Sequence, residues 1–322
     1  MKNSCLHLLA ALWFFWPFHL VAAEPLSRIA MGSCNRQDLP QPLWRPIIAF
    51  RPQLWIWLGD NIYGDTNDME LLASKWSRQK ENSGYKELLA TCPVVGLWDD
   101  HDYGRNNAGF EYKQKRESQT LFLNFFDVPQ DSERRKREGT YDVQIFGPEG
   151  RQVAVILLDV RFYRAAPRSG GDILGEAQWR WLKKTLDGSR AQIHLICSGS
   201  QILPTEHRWE KWADYPDSRN RLFKLLADSR KPGVVLLSGD RHFSEIARVG
   251  NPHGGPPLLE MTSSGLTHFW EKFPDEQNSL RLGEAFVGLG FGTLDIAWSD
   301  QEITVSIRDA EGHAVRSEKV GF

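Results

Sequence analysis

Pro93-Val94-Val95-Gly96-Leu97-Trp98-Asp99-Asp100-His101-Asp102-Tyr103-Gly104-Arg105-Asn106-Asn107 carries the main architectural signal of the chain. Its first half is a short apolar run, the pattern of a strand buried on both faces. Its second half delivers Asp99, Asp100 and Asp102, a histidine, a glycine and two asparagines. Unpaired buried charges are costly, so acids at this density are either a solvated turn or neutralised by something. A cation does this, and strand ends in open α/β sheets are where ligand sites form. Two further stretches share the construction: Leu54-Trp55-Ile56-Trp57-Leu58-Gly59-Asp60-Asn61-Ile62-Tyr63-Gly64-Asp65 and Val234-Val235-Leu236-Leu237-Ser238-Gly239-Asp240-Arg241-His242. Taken singly, a Gly-Asp after a strand is an ordinary turn. Three strands ending in hard ligands point to one shared metal centre.

Upstream, Ile29-Ala30-Met31-Gly32-Ser33 reads as a strand that ends at Cys34-Asn35. A helix with Leu43, Trp44, Ile47, Ile48 and Phe50 follows, stopped by Pro52, with Pro46 marking where its regular part begins. Residues 69–78 and 84–89 predict two more helices. This β–α–β–α–β rhythm predicts a parallel sheet with crossover helices. Downstream, residues 118–126 read as a helix and the charge-rich residues 131–139 as a solvated surface excursion. Apolar runs at 140–146 and 153–158 flank Gly147-Pro148-Glu149-Gly150 and predict a hairpin. A helix at 175–186, a strand at 194–198, a helix at 219–229 and a strand at 233–237 come next. Residues 258–262, 292–298 and 303–308 predict antiparallel strands. With no repeat and no linker, residues 24–322 are expected to form a single domain.

A chain of 322 residues with 41% hydrophobic and 25% charged residues has ordinary globular composition. Its net charge of -2 provides no basic field for nucleic acid. Lys2, the apolar residues 8–21 and the small residues Val21-Ala22-Ala23 have the form of a secretory signal peptide cleaved after Ala23. Pro17 and His19 interrupt a run already short for a membrane span. The expectation is an exported protein, periplasmic or secreted, without a span after cleavage. Cys34, Cys92 and Cys197 then remain, an odd number for an exported chain. Cys92 and Cys197 read as small buried hydrophobes, with a disulfide between two of the three cysteines as the alternative.

Hydrolysis at a pair of metal ions needs hard oxygen ligands, imidazole and amide donors, and a protonated group near the leaving oxygen. Asp60, Asp100, Asn106, Asp240 and His242 supply such a set, and Gly59 and Gly239 leave room for a sharp turn. A tyrosinate at Tyr63 or a thiolate at Cys34 suits iron, whereas all-oxygen donors suit calcium or magnesium. His101, between Asp100 and Asp102, is a general-acid candidate because neighbouring carboxylates keep a histidine charged. Arg161 and Arg241 have the guanidinium fork that matches a phosphate. Trp57, Trp98, Tyr103, Phe162, Tyr163 and Trp270 either line a cleft for an organic substituent or are ordinary core. Ser198-Gly199-Ser200 lacks the Gly-x-Ser-x-Gly elbow of a serine hydrolase.

Together, Gly-Asp-Asn-Ile-Tyr-Gly-Asp, Trp-Asp-Asp-His-Asp-Tyr-Gly and Gly-Asp-Arg-His-Phe-Ser-Glu, in this order, resemble the PhoD-like alkaline phosphatase/phosphodiesterase family of the metallophosphoesterase superfamily. The resemblance spans about residues 29–308. It implies a four-layer α/β/β/α sandwich of two mixed sheets with a dinuclear site on loops at the strand ends. It assigns the family's strand-end cysteine to Cys34, its bridging aspartate to Asp60, and its metal-binding tyrosine to Tyr63. Asp100, Asn106, Asp240 and His242 fall on further ligand positions, and His101 on the motif histidine. Iron plus calcium is the implied metal pair, with manganese, magnesium or zinc as alternatives. Superfamily relatives commonly have Gly-Asn-His-Glu and Gly-His-x-His at these motifs, and the exchange for carboxylates here favours harder ions. The chain lacks room for the N-terminal β-domain of the larger members. The implied activity is hydrolysis of phosphate mono- or diesters by a metal-bound hydroxide, with His101 protonating the leaving oxygen and Arg161 meeting phosphoryl charge. The competing reading is a catalytically idle, metal-stabilised binding or envelope protein on the same scaffold.

Overall fold

Leu54, Ile56 and Leu58 alternate with Trp55 and Trp57, and all five are fully buried, because both faces of their strand are covered. The computed structural model describes residues 24–272 and 276–322. Its strands are β1 (Arg28–Gly32), β2 (Leu54–Leu58), β3 (Val94–Leu97), β4 (Asp142–Phe146), β5 (Val153–Leu157) and β6 (Ile193–Ser198). The remainder are β7 (Val234–Ser238), β8 (Glu245–Val249), β9 (Leu258–Thr262), β10 (Phe291–Ala297), β11 (Glu302–Arg308) and β12 (Ala314–Gly321). They form two six-stranded mixed sheets, ordered β12-β11-β10-β1-β2-β3 and β4-β5-β6-β7-β9-β8. As the β–α–β–α–β rhythm predicts, β1, β2 and β3 are parallel.

The two-residue period sorts side chains between layers. Leu54, Ile56 and Leu58 meet Val153, Val155, Leu157, Leu195 and Leu237 between the sheets. Trp55 and Trp57 face the other way, onto the helices Trp44–Ala49, Met69–Glu81, Ser83–Thr91 and Lys115–Phe125. On the second sheet Ile156, Ile196 and Leu236 pack under the helices Glu176–Gly188 and Pro216–Ser229. The result is the four-layer α/β/β/α sandwich. Each fully buried aliphatic chain of these layers contributes roughly 1.5–3 kcal/mol.

Several expectations are corrected. Strand β9 is parallel to β7 and antiparallel only to β8, so residues 258–262 continue the parallel sheet. Strands β8 and β12 went unpredicted: β12 is a polar edge strand, Ala-Val-Arg-Ser-Glu-Lys-Val-Gly, without an apolar run. The helix at Trp44 starts two residues before Pro46, whose missing N–H falls in the first turn, where no intrahelical acceptor exists. The 131–139 excursion contains the short helix Glu133–Lys136, and Arg134 is buried with Nε and a guanidinium NH2 group on the Thr140 carbonyl. Cys34, Cys92 and Cys197 are buried free thiols, so the disulfide alternative fails. The proposed signal peptide, residues 1–23, lies outside the described residues. Among the described residues no helix is long and apolar enough to cross a membrane.

His194 on β6 is fully buried, with Nδ1 3.2 Å from the Pro232 carbonyl and Nε2 2.9 Å from the Ser189 hydroxyl. Both nitrogens are satisfied by the neutral ring, and burial pushes its pKa down to about 4. The unfolded chain takes up this proton near pH 6.5. Stability is therefore expected to fall as pH drops from about 6.5 to 4, by up to about 3 kcal/mol from this residue. Urea unfolding with chelator present should show a smaller pH slope in His194→Gln; an unchanged slope would remove His194 from the account.

Candidate metal centre

Strands β1, β2, β3 and β7 all end on one edge of the sandwich, and the residues that follow them converge. The sharp exits are visible in the backbone. Cys34, Asp60, Asp240 and His242 have φ of 58°, 49°, 71° and 56°, in the left-handed region that non-glycine residues rarely occupy. Such conformations cost on the order of 1 kcal/mol or more each and concentrate where function requires them. Gly59 and Gly199 sit against Asp99, so a Cβ at either position would collide with that side chain. Asp102 ties two exits together. Its Oδ1 accepts the N–H groups of Asn61 (2.8 Å) and Ile62 (3.0 Å), and its Oδ2 that of Asp99 (2.9 Å).

The donor atoms form three overlapping sets, each within 4.8 Å: Cys34, Asp60 and His242; Asp60, Asp100 and His101; Asp99, Asp100 and Asp240. Asp60 belongs to the first two sets and Asp100 to the last two, so the sets are one continuous cluster. The Cys34 thiol and the Tyr63 hydroxyl both lie 3.4 Å from Asp60 Oδ2. The Tyr63 hydroxyl also lies 3.0 Å from Nε2 of both His242 and His268. His101 stacks on Tyr63 at 4.0 Å between ring centroids and holds Asp65 through Nδ1 at 2.7 Å.

The chemistry of this set fits cations. Asp60, Asp99 and Asp100 are buried, and Asp60 Oδ1 and Asp99 Oδ2 have no hydrogen-bond partner. Burial holds the Asp60 carboxyl well above the usual range; His101 opposes this, while Cys34, Asp100 and Asp99 add to it. Burial and then Asp100 raise Asp240 likewise. Burial and Asp240 raise the Cys34 thiol to about 11, so a thiolate there requires a cation. At His101 burial is outweighed by Asp60, the Asp65 hydrogen bond and Asp100, which push the imidazole up to about 10. Asp100 is pulled down to about 2 because Arg161 and His101 outweigh its burial.

Most of the proposed residues, namely Cys34, Asp60, Tyr63, Asp100, His101, Asp240 and His242, lie together in this cluster. Two do not behave as expected. Asn106 is exposed, and it is the backbone N–H of Asn107 that reaches Asp100 Oδ2, at 2.6 Å. Arg161 is fully buried, with Nε 2.5 Å from Asp99 Oδ1 and a guanidinium nitrogen 2.5 Å from Glu210 Oε2. Its guanidinium is committed to Asp99 and Glu210, whereas the sequence reading assigned it to phosphoryl oxygens. Arg241 is likewise buried and held by Glu276. Of the six rings proposed as cleft lining, Trp57, Trp98, Tyr103 and Phe162 are core and Tyr163 packs against it. Only Trp270 stands beside the cluster, 5.6 Å from the His242 ring.

Sequence reasoning missed His268, Asp65 and Glu210; Asp99, counted there among the acids in need of neutralisation, both precedes the short helix Asp100–Tyr103 as its N-cap and joins a donor set. His268 had a signal: β9 also runs into a turn, Ser263-Ser264-Gly265, in the same manner as the other exits. Asp65 closes the Gly-Asp-Asn-Ile-Tyr-Gly-Asp motif. Glu210 lies in a long loop after β6 with no local pattern to single it out.

The family model described as PhoD-like phosphatase matches residues 73–286. No curated protein matches the chain in a sequence comparison. Among solved structures, PhoD is similar at 16% identity and a TM-score of 0.71, covering 92% of this chain and 69% of that one. GAP50, described as the anchor in the inner membrane complex of Plasmodium, is similar at 13% identity and a TM-score of 0.61, over 93% and 90% of the two chains. A dimetal phosphatase from Danio rerio is similar at 14% identity and a TM-score of 0.57, over 93% and 100%. At these identities the structural likenesses establish the fold, which is of the metallophosphoesterase type. The matched segment takes in the Trp-Asp-Asp-His-Asp and Gly-Asp-Arg-His motifs and most of the donor cluster, and by it the chain belongs to the PhoD-like phosphatase family.

Proposed function

We propose that this chain hydrolyses phosphate mono- or diesters at a pair of metal ions held by Cys34, Asp60, Tyr63, Asp100, Asp240 and His242. The observation that carries the reading is the sharing of Asp60 and Asp100 between overlapping donor sets. Thiolate and phenolate donors at Cys34 and Tyr63 suit iron, and the carboxylates suit calcium. Cations bound there would activate water and offset charge on the phosphoryl oxygens. Manganese, magnesium and zinc remain alternatives for the same donors.

The residues around the metals supply the rest. The Nδ1 hydrogen bond to Asp65 favours the protonated ring of His101 and leaves Nε2 to give a proton to the departing oxygen. Stacking on Tyr63 fixes the ring plane. Arg161, paired with Asp99 and 3.8 Å from Asp100 Oδ1, braces Asp100. Loss of a positioned general acid costs about 10²-fold or more when the leaving group is poor. His101→Asn is thus expected to slow an alkyl phosphoester far more than a nitrophenyl ester, whose leaving group needs no proton. Equal losses on both would assign His101 a different role.

Residues 1–23 are proposed to direct export to the periplasm or beyond, with cleavage after Ala23; a mature protein beginning at Glu24 by mass is the expected result. A phosphoester substrate is the proposed partner. GAP50 has the same fold and is described as an anchor, so an idle scaffold is the reading to test against. Protein isolated without chelators should hydrolyse 4-nitrophenyl phosphate or bis(4-nitrophenyl) phosphate, lose the activity to chelator, and keep it in Ser200→Ala. No turnover of either ester by fully metallated protein would favour the idle scaffold.

A further inference from the structure

We propose that Trp270 and Trp209 form a stacking subsite that selects phosphoesters carrying a planar aromatic or broad apolar group next to phosphorus. The inference rests on the phosphoesterase reading and specifies its substrate class. Eleven tryptophans lie among the described residues, and nine of them belong to, or pack against, the three hydrophobic cores. The two exceptions are Trp209 and Trp270. They arrive on different loops, after β6 and after β9, and meet each other at 5.4 Å between ring centroids, inclined by 37°. Trp270 in turn lies 5.6 Å from the His242 ring at 36°, so the aromatic surface runs directly on from a metal-ligand candidate.

The rings are held in place. The Trp270 backbone N–H donates to the His242 carbonyl at 3.2 Å and its indole N–H to the Arg241 carbonyl at 2.9 Å. This clamps the ring to the two residues after Asp240. Trp209 is flanked by the guanidinium groups of Arg208 at 4.8 Å and Arg241 at 5.7 Å. Its indole N–H is buried without a partner in the protein. Both side chains are only half-buried, and neighbouring Phe269 is exposed. A rigid aromatic pair outside every core, partly open to solvent beside the ligand cluster, is surface awaiting a flat apolar group. Stacking on one such ring typically changes affinity by roughly tenfold.

The test compares phenylphosphonate with methylphosphonate, which share the phosphoryl head and differ only in the substituent. Calorimetric titration of the metal-loaded protein should show phenylphosphonate bound roughly tenfold more tightly. Trp270→Ala and Trp209→Ala should lose that preference, Trp209→Ala should leave methylphosphonate affinity unchanged, and Trp270→Phe should retain most of the preference. Equal affinity for the two phosphonates in the wild type, an undiminished preference in both alanine variants, or equal weakening of both ligands in Trp209→Ala would overturn the subsite while leaving the phosphoesterase reading intact. Binding of neither phosphonate, together with no turnover of 4-nitrophenyl phosphate, would overturn both.

Discussion

Replacing Asp60 by asparagine is expected to lower phosphoester turnover by about 10³-fold or more and to raise the thermal stability of the metal-free protein. The two effects have one cause. Asp60 is fully buried with Oδ1 unpaired, and its carboxylate faces Cys34, Asp99 and Asp100 across a few ångströms. In the absence of cations this buried, poorly paired carboxyl is a burden on the fold. An amide of the same shape removes it, and relief of about 1–2 kcal/mol is the scale for one desolvated, poorly paired polar group. With cations bound, the same carboxylate is the donor common to two of the overlapping sets, so its loss should weaken both poles at once. Differential scanning calorimetry in chelator, paired with turnover in added metal, reads both signs. A variant that is less stable without metal and active with it would mean that Asp60 serves structure alone.

The second large effect falls on stability. Arg161→Met is expected to destabilise the protein by about 3–5 kcal/mol, the usual cost of removing one partner from a buried ionic network. Burial works against the Arg161 charge, but Asp99, Glu210 and Asp100 outweigh it and hold the guanidinium charged. Without it Asp99 and Asp100 lose their guanidinium partner, while Glu210 keeps Arg164. Arg161→Lys should recover part of the loss, since one ammonium cannot reproduce a fork that meets Asp99 and Glu210 together. Urea unfolding of the three proteins measures the series. A variant within about 1 kcal/mol of wild type but with a raised KM would restore Arg161 as a phosphate contact.

The strand and helix pattern announced a parallel sheet with crossover helices, while the four layers came with the family resemblance; the structure supplies their physical reason, strands that alternate large apolar residues facing two cores. Leu54-Trp55-Ile56-Trp57-Leu58 shows this most clearly, and the same two-residue period delivers Asp60 to the sheet edge. The ligand cluster was readable for the same reason: strand followed by Gly-Asp is a local pattern, and Cys34, Asp60, Tyr63, Asp100, Asp240 and His242 all follow strands closely. What stayed hidden depends on contacts distant in sequence. Nothing near Arg161 marks it as the partner of Asp99, 62 residues away, rather than of substrate. Asn106 and Asn107 are equivalent in sequence, and only the turn geometry, with Asn107 at φ of 57°, determines which one reaches Asp100. The polar edge strand β12 is ordered by pairing with β11, which its own residues do not announce.

The central claim is that acids delivered by separate strands share cations. Elemental analysis of protein purified without chelators, with Asp60→Asn prepared alongside, tests it most directly. The account predicts about two metal ions per wild-type chain and a clear loss in the variant. Wild-type protein that holds less than about one ion per chain, and takes up none from millimolar iron, calcium, manganese or zinc, would contradict it.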